Sequence, residues 1–506
     1  MEFAFEFWFF LVGFVSLLFY LAWFVPKAKF QPPGPFNFPI VGSLFYLSKL
    51  PHRSMNELAK KYGPIMYLRL GYIDHIVISN GEMAKEVLKV HDADFGSRPR
   101  FIIGKDASFD WSDISLSPCG DHWRLLHKIC STELLTQARL NNFQCQRQDE
   151  VAYMVEEITK HNQGRPQLVE MRPIFHELTS NNICRMMFGA RRKELKNHLG
   201  NNFDDLFNSI SDMVEIFNKF NISDLIPILK PFDLQGLERH MKCIRNQLEN
   251  NLSNILKAYR KGNKLVFDST VKYFVQVLLS LDEKLDDASI MAILVNMIGG
   301  GTDTTAITLE WALSELVHHP EMMERAQDEL DKVVGKQRPV LESDFANLPY
   351  LQAIIKENFR LHPAGPILIP HVNTKDTHIM NYKILANTHV LVNVWAIGRD
   401  PEVWKNPLEF NPDRFYNSDI SVGGSNFNLL PFGSGRRQCP GLNLGVLMVQ
   451  CGLATILHAF DWSPPPNVKP KDMNMIETSG LATPLAEPLV VIAKPRLPPQ
   501  VYKPSI

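Results

Sequence analysis

The sequence predicts a mainly α protein with a minor β region, one large body behind an apolar N-terminal helix. Three observations predict it. Helical periodicity dominates from residue 80 to about 360, broken only by short Pro-, Gly- or Asn-bearing stretches such as GNKLVFD (262–268) and GKQRPVLES (335–343). Short β-like runs (ILIPHV, KILA, HVLVNVWAI) fill 365–400, and IMYLRLGYIDHIVIS (65–79) sets two apolar runs around a glycine, the pattern of a hairpin. No Gly/Ser linker, charge block, repeat or low-complexity tract divides the 506 residues, and 45% hydrophobic content with 32 Phe supplies a sizeable core.

The first element is FWFFLVGFVSLLFYLAWFV (7–25), 19 residues without a charge. As a helix it spans about 28 Å, close to the thickness of a bilayer core. Glu2 and Glu6 precede it and Lys27 and Lys29 follow, which puts its C-terminal side in the cytosol. A cleaved signal peptide would carry a basic n-region and a small-residue cleavage site, and neither is evident. QPPGP (31–35) then reads as a stiff spacer. The expected division is a membrane anchor at 1–25, a proline-rich hinge at 26–36 and a globular domain at 37–506. A net charge of −1 gives no case for a nucleic-acid partner.

The seven cysteines form no CxxC pair and no zinc spacing, and their odd number suits a reducing compartment. Most are expected to act as small buried hydrophobes. Cys439 is the exception, inside PFGSGRRQCPG (431–441). Gly433, Gly435 and Gly441 permit tight turns, and Arg436 and Arg437 are expected to lower the thiol pKa. The apolar LNLGVLMVQCGLATILHAF (442–460) reads as a buried helix whose N-terminus favours an anion. The segment predicts a pocket for one thiolate.

Residues 286–318 predict a long, central, mostly apolar helix with Gly299, Gly300 and Gly301 in its middle, then Thr302, Asp303, Thr304 and Thr305. Each glycine there costs roughly 1 kcal/mol relative to alanine. Two readings stand: a kink that lets helices cross, or a close approach to a ligand. Asp303 favours the second, because a carboxylate within an apolar helix needs a partner or a task. In the helix predicted over 348–363, Glu357 and Arg360 share a face; alone, they read as an ordinary surface pair.

Together these segments resemble a microsomal cytochrome P450 of the plant type, over nearly the whole chain. Phe432, Gly435, Arg437, Cys439 and Gly441 match F-x-x-G-x-R-x-C-x-G. GGTDTT (300–305), ENFR (357–360) and FNPDRF (410–415) match the oxygen-activation motif, E-x-x-R and its partner segment. The resemblance implies the cytochrome P450 fold, with 37–506 as a haem-thiolate catalytic domain. It implies haem b with Cys439 as axial ligand to the iron, Phe432 and Gly441 beside the thiolate, and Arg437, Trp123 and His371 as propionate contacts. Gly300 and Gly301 would face the cofactor, Asp303 and Thr304 would form an acid–alcohol proton relay, and Glu357, Arg360 and Arg414 a structural triad. The pattern W-x-x-x-R has His127 in place of arginine, so either a neutral imidazole donates or Arg124 or Lys128 compensates. Electrons would come from NADPH through a separate membrane-bound reductase. Arg124, Lys128 and Arg436 could dock it or be solvated charges. The location implied is the endoplasmic reticulum membrane, single-pass, with the catalytic domain cytosolic.

For the substrate, the resemblance points to Phe101, Phe109, Trp111, Asn296, Ile367 and Leu481 as pocket residues. Asp106, Asp110, Asp113 and Glu477 are candidates to meet a cation, or solvated loop carboxylates. ILIPHVNTKDTHIMNYKI and PFDLQGLERHMK (231–242) are similar to enzymes of the benzylisoquinoline-alkaloid group, implying hydroxylation or phenol coupling of a small aromatic alkaloid. The alternatives are a terpenoid or phenylpropanoid hydroxylase and, from another class, a reductase-independent haem-thiolate isomerase or a non-catalytic haem-binding protein. Asp303–Thr304 argues against the isomerase, and a non-catalytic haem-binding protein would not need the central-helix groove.

Overall fold

The computed structural model describes residues 8, 11–14, 16–17, 30–162, 167–199, 202–261, 271–281 and 285–503. Its principal helices are α1 (Pro51–Tyr62), α2 (Asp121–Ile129), α3 (Gln144–Asn162), α4 (Met171–Phe188), α5 (Asn202–Asn218), α6 (Leu237–Arg260), α7 (Asp287–His318), α8 (Pro320–Val333), α9 (Pro349–Leu361) and α10 (Leu442–Ala459). The predicted central helix is α7. Its 32 residues are mostly buried, and the Asp286 side chain caps it by accepting the Ser289 N–H. Helices α4, α5, α9 and α10 all pack on it. Pro320 and Pro349 open α8 and α9 at the first turn, where a missing N–H costs nothing.

The hairpin at 65–79 forms as β1 (Ile65–Leu70) and β2 (Ile73–Ile78). The short runs after 365 form β4 (His371–Val372), β5 (Thr377–Ile379), β6 (Tyr382–Ile384) and β7 (His389–Val392), and HVLVNVWAI ends in the helical turn Val394–Ile397. One sheet has the order β1-β2-β7-β4, with β2 parallel to β7 in the register His75↔His389 to Ile78↔Val392. A second, not foreseen, has the order β3-β9-β8 and joins β3 (Leu168–Glu170) to β9 (Val490–Pro495) and β8 (Phe460–Ser463). One large apolar core surrounds α7, and a smaller one lies under the first sheet.

Of the expected anchor, Trp8, Leu11–Phe14, Ser16 and Leu17 are helical and exposed. The rest of 7–25, with Lys27 and Lys29, lies outside the described residues, as does the break at 262–268. Helices α7 and α10 are long and apolar enough to cross a membrane, but 67% of each apolar window is buried, as in core helices. The proline segment is not free of the body: the Pro33 carbonyl accepts the Tyr67 N–H at 2.8 Å, and the Phe30 carbonyl accepts that of Lys383 at 2.8 Å. From Phe30 onward the expected hinge is docked on β1 and β6.

Candidate active site

The Cys439 loop ends at Gly441, the N-cap of α10. The Cys439 N–H donates to the Phe432 carbonyl at 2.9 Å, and the Gly441 N–H reaches the sulfur. Gly435, at φ 71°, lies where a side chain would collide with the Leu88 carbonyl. The Phe432 ring packs edge-on to Phe359 at 5.2 Å. The arginines do not serve the thiol as expected. Arg436 pairs with Asp92 at 3.2 Å, and Arg437 turns towards backbone carbonyls. Burial raises the Cys439 thiol above its usual value, opposed only by the Gly441 N–H. Yet the residue has exposed surface. A group that is both exposed and densely surrounded stands in a concavity. The other cysteines are free; Cys130, Cys184 and Cys451 are buried, whereas Cys145 and Cys243 are exposed.

On α7, Asn296, Gly300 and Thr304 share one face, and Gly300 and Thr304 are exposed in the middle of a buried helix. A side chain at Gly300 would meet nothing within 4 Å, whereas one at Gly301 would stand 2.6 Å from Ile183 of α4. Both readings of the glycine run are therefore realised, one residue apart. Gly300 opens a concave face, and Gly301, expected to face the cofactor, instead permits a helix crossing.

The loop Asp113–Ser117 joins these two walls. Asn296 Oδ1 accepts from the Ile114 N–H at 3.2 Å and Ser115 Oγ at 3.0 Å. Arg437 donates to the carbonyls of Gly96 (2.7 Å), Ile114 (3.2 Å) and Ser117 (2.6 Å), with its guanidinium 4.1 Å from the Trp123 ring. Trp123 Nε1 donates to the Ile114 carbonyl at 3.2 Å. His371 Nδ1 lies 2.9 Å from the Phe95 carbonyl, and burial beside Arg98 keeps the ring neutral.

Sequence reasoning missed Arg98. It is buried and donates to the carbonyls of Ser115 (3.1 Å), Ile369 (2.5 Å) and Pro370 (3.0 Å). The only local signal is an arginine between Ser97 and Pro99. Burial pushes Arg98 down to about 9, with the Arg437 charge adding to the effect, and pushes Arg437 down to about 10. A guanidinium remains charged at neutral pH even so, and among the described residues neither Arg98 nor Arg437 has a carboxylate in direct contact; the shifts come chiefly from desolvation. The nearby acid, Asp113, is spent on the N–H groups of Ser115, Leu116 and Ser117 and on Asn296. A buried and a half-buried guanidinium and a sulfur at a helix N-terminus suit a flat group with a soft-metal centre and an anionic edge. The residues present fit haem.

At the expected W-x-x-x-R position, His127 lies 5.2 Å from the Trp123 ring, its pKa lowered by burial and then by Arg437. Arg124 pairs with Asp121 at the surface, so it does not replace the missing arginine in the cluster.

Asp303 and Thr304 open into different spaces. The Thr304 hydroxyl donates to the Gly300 carbonyl at 2.7 Å on the concave face. Asp303 lines a cleft of about 640 Å³ between α4, α5 and α7, shared with His176, Phe207, Gly299 and Thr302. The pair expected at the surface is fully buried: Arg360 meets Glu357 at 2.6 and 2.7 Å, and Arg414 Nε meets the same carboxylate at 3.2 Å. Arg360 also donates to the carbonyls of Gly398, Pro407 and Glu409, tying α9 to the 398–414 loop.

Among the expected pocket residues, Phe109 is fully buried core and Asn296 is occupied by the loop. Phe101, Trp111 and Ile367 are half-buried, and Leu481 is exposed, its N–H held by Asn218. None of the four candidate carboxylates is free, although Asp110 keeps about half of its side chain in solvent. Asp106 and Asp110 pair with Arg245, Asp113 caps its own loop, and Glu477 is buried against His52 (2.8 Å) and Arg53 (2.6 Å).

Comparison with known proteins identifies the family. A model of the family Cytochrome P450 matches residues 32–490. Flavonoid 3'-monooxygenase of Arabidopsis thaliana is 41% identical over 488 residues, 93% of each chain. 3,9-Dihydroxypterocarpan 6A-monooxygenase of Glycine max is 36% identical, covering 95% of this chain and 96% of its own. A solved zebra fish cytochrome P450 with progesterone superposes with a TM-score of 0.73 at 24% identity, covering 88% of this chain and 99% of that one, and shows the fold. These relatives do not support the expected likeness to alkaloid enzymes. The chain belongs to the cytochrome P450 family, as a monooxygenase that carries haem b and draws NADPH-derived electrons through a reductase.

Proposed function

We propose that this chain hydroxylates a neutral phenolic ring of the phenylpropanoid-derived type, such as a flavonoid or pterocarpan, on the cytosolic face of the endoplasmic reticulum membrane. The observation that carries it is the state of the carboxylates around the site. A protonated amine would need a free acid, and Asp106, Asp110, Asp113 and Glu477 all have fixed partners. The flavonoid and pterocarpan monooxygenases among the relatives point the same way.

In this reading Cys439 would ligate the haem iron, and Gly441 and Phe432 would shape the backbone around the sulfur. Arg98, Arg437 and His371 would hold the propionates, with Trp123 bracing Arg437 and His127 as a neutral neighbour. Haem supplies oxygen activation when bound. Gly300 would leave room beside the bound group, Thr304 would offer its hydroxyl on the same face, and Asp303 would hold a proton on the cleft side. Glu357, Arg360 and Arg414 keep the 398–414 loop in place. Phe101, Trp111, Ile367 and Leu481 provide apolar contacts to the ring.

The test has two arms. A carbon monoxide difference spectrum of reduced membranes, beside Cys439→Ala, should show a thiolate-type Soret band lost in the variant. Turnover with reductase and NADPH should then favour a flavanone over a benzylisoquinoline amine. Preference for the amine would overturn the substrate class, and a wild-type spectrum without the thiolate band would overturn the site.

A further inference from the structure

Phe109, Asp110 and Trp111 hold φ of 51°, 61° and 65° in succession. A left-handed backbone is unfavourable for L-residues and more so for bulky ones, so three in a row need outside support. Helix α6 supplies it. Arg245 Nη2 donates to Asp110 Oδ2 at 2.6 Å and Nη1 to Asp106 Oδ1 at 3.4 Å. Glu249, one turn on, holds the Arg245 Nε at 2.9 Å, and the guanidinium carbon lies 5.9 Å from the Phe109 ring.

Within the segment, Lys105 stands 3.6 Å from Asp110, and the Asp110 N–H donates to the Lys105 carbonyl at 2.8 Å. The Trp111 N–H donates to Ser108 Oγ at 3.0 Å, and its ring covers Gly104 so closely that a side chain there would meet it at 3.0 Å. The ends are tied elsewhere. Asp224 accepts the Ile102 N–H at 2.7 Å, and Asn296 accepts that of Ile114 beside the concave face of α7. Among the described residues, Arg245 is the cation from outside the segment that pairs with Asp106 and Asp110.

We propose that Arg245 is a positioning residue that determines specificity: it holds the 109–111 turn in its left-handed form and so sets the width of the entrance beside Trp111. The assignment to an entrance rests on the reading of Phe101 and Trp111 as substrate wall. Without Arg245, Asp106 and Asp110 lose their shared counter-ion, and the turn relaxes towards right-handed φ, carrying the Trp111 ring off Gly104. Bulky ligands then pass faster, and small ones, which never needed the room, do not.

The test uses the haem-loaded full chain and compares wild type with Arg245→Gln, Arg245→Lys and Asp110→Asn. Hydrogen exchange over residues 104–112 reads the turn directly. Stopped-flow Soret shifts with imidazole and with trityl-imidazole read the passage. Arg245→Gln should raise exchange in that stretch and speed both association and dissociation of trityl-imidazole about fivefold, the rate equivalent of releasing one strained residue. Imidazole rates should stay within about twofold of wild type. Should Arg245→Gln give no haem-loaded protein, Arg245→Lys and half-exposed Asp110→Asn serve the same comparison. Unchanged exchange in folded holoenzyme overturns the role of Arg245. Raised exchange with unchanged trityl-imidazole rates overturns the placing of this turn at the substrate entrance.

Discussion

His176 Nδ1 lies 3.3 Å from Asp303 Oδ1, and the pair sits on the wall of the cleft between α4, α5 and α7. This carboxylate in the middle of the mostly apolar central helix thus has its partner on a neighbouring helix, with both side chains about one-third exposed. His176→Ala leaves that carboxylate free to turn, and the product formed per NADPH consumed should fall about threefold. Asp303→Asn should lower product formation at least tenfold, within the range a positioned proton donor contributes. Equal, small effects of both variants on coupling would remove Asp303 from proton delivery.

Gly300 and Gly301 should respond oppositely to alanine. Gly301→Ala places a methyl group against Ile183, so it should destabilise the fold by about 1–3 kcal/mol, as overpacking does. Ile183→Ala in the same chain should restore thermal stability. Gly300→Ala meets open space and should leave the melting temperature unchanged while altering ligand-induced Soret shifts.

Breaking the Glu357–Arg360 pair should be severe. Both side chains are fully buried, and Glu357→Ala strands two guanidiniums with a single acid gone, at a cost of about 3–5 kcal/mol. Haem-loaded protein, measured by its thiolate-type spectrum, should fail to accumulate, and a double variant with Arg360→Met should recover part of it.

Arg98→Ala should loosen haem without unfolding the chain. One of the two guanidiniums proposed to hold the propionates is lost, so transfer of haem to apomyoglobin should quicken about tenfold or more. Arg98→Lys should fall between, because an ammonium retains the charge but not the fork of donors. Equal transfer rates in all three proteins would place the propionates elsewhere.

Acid should weaken the first sheet early. His75 and His389 pair across β2 and β7 with rings 4.9 Å apart, and burial lowers them from 6.5 to about 4 and about 3. The folded chain refuses protons that the unfolded chain accepts below pH 6.5. Stability is therefore fully present above that pH and is lost as pH falls towards about 4, by a few kcal/mol in total. Glu477, held down to about 2 by His52 and Arg53 against the opposing effect of burial, adds a later loss between about pH 4.5 and 2. Urea midpoints at pH 7 and pH 5 measure the first window, and His389→Gln should shrink the difference.

The readable part of this protein was the part encoded locally. Helix α7, helix α10 and the 65–79 hairpin follow from periodicity, which the chain carries in a window of a few turns. The Cys439 loop and the Glu357–Arg360 spacing were equally legible. What escaped depends on which distant segment arrives alongside. Gly300 and Gly301 are distinguished only by where Ile183 lies. Arg98 acquires meaning from the carbonyls at 369 and 370. The carboxylates of the 106–113 loop and Glu477 looked free because Arg245, Asn296 and His52 are remote in sequence. Cys439 was expected to be acidified by its neighbours, but both arginine side chains found other partners and desolvation decided the sign.

The parallel register of β2 with β7 has a consequence for biosynthesis. His75 meets His389 and Ile78 meets Val392, so the partner of β2 leaves the ribosome roughly 310 residues after β2 itself. At ordinary elongation rates that is a wait of roughly 15–60 s, during which Ile76, Val77 and Ile78 present an apolar strand with one unpaired edge. The hairpin with β1 can close at once, but the edge facing β7 cannot. Nascent chains halted before residue 389 should therefore depend on chaperone cover, and those released after 392 should not.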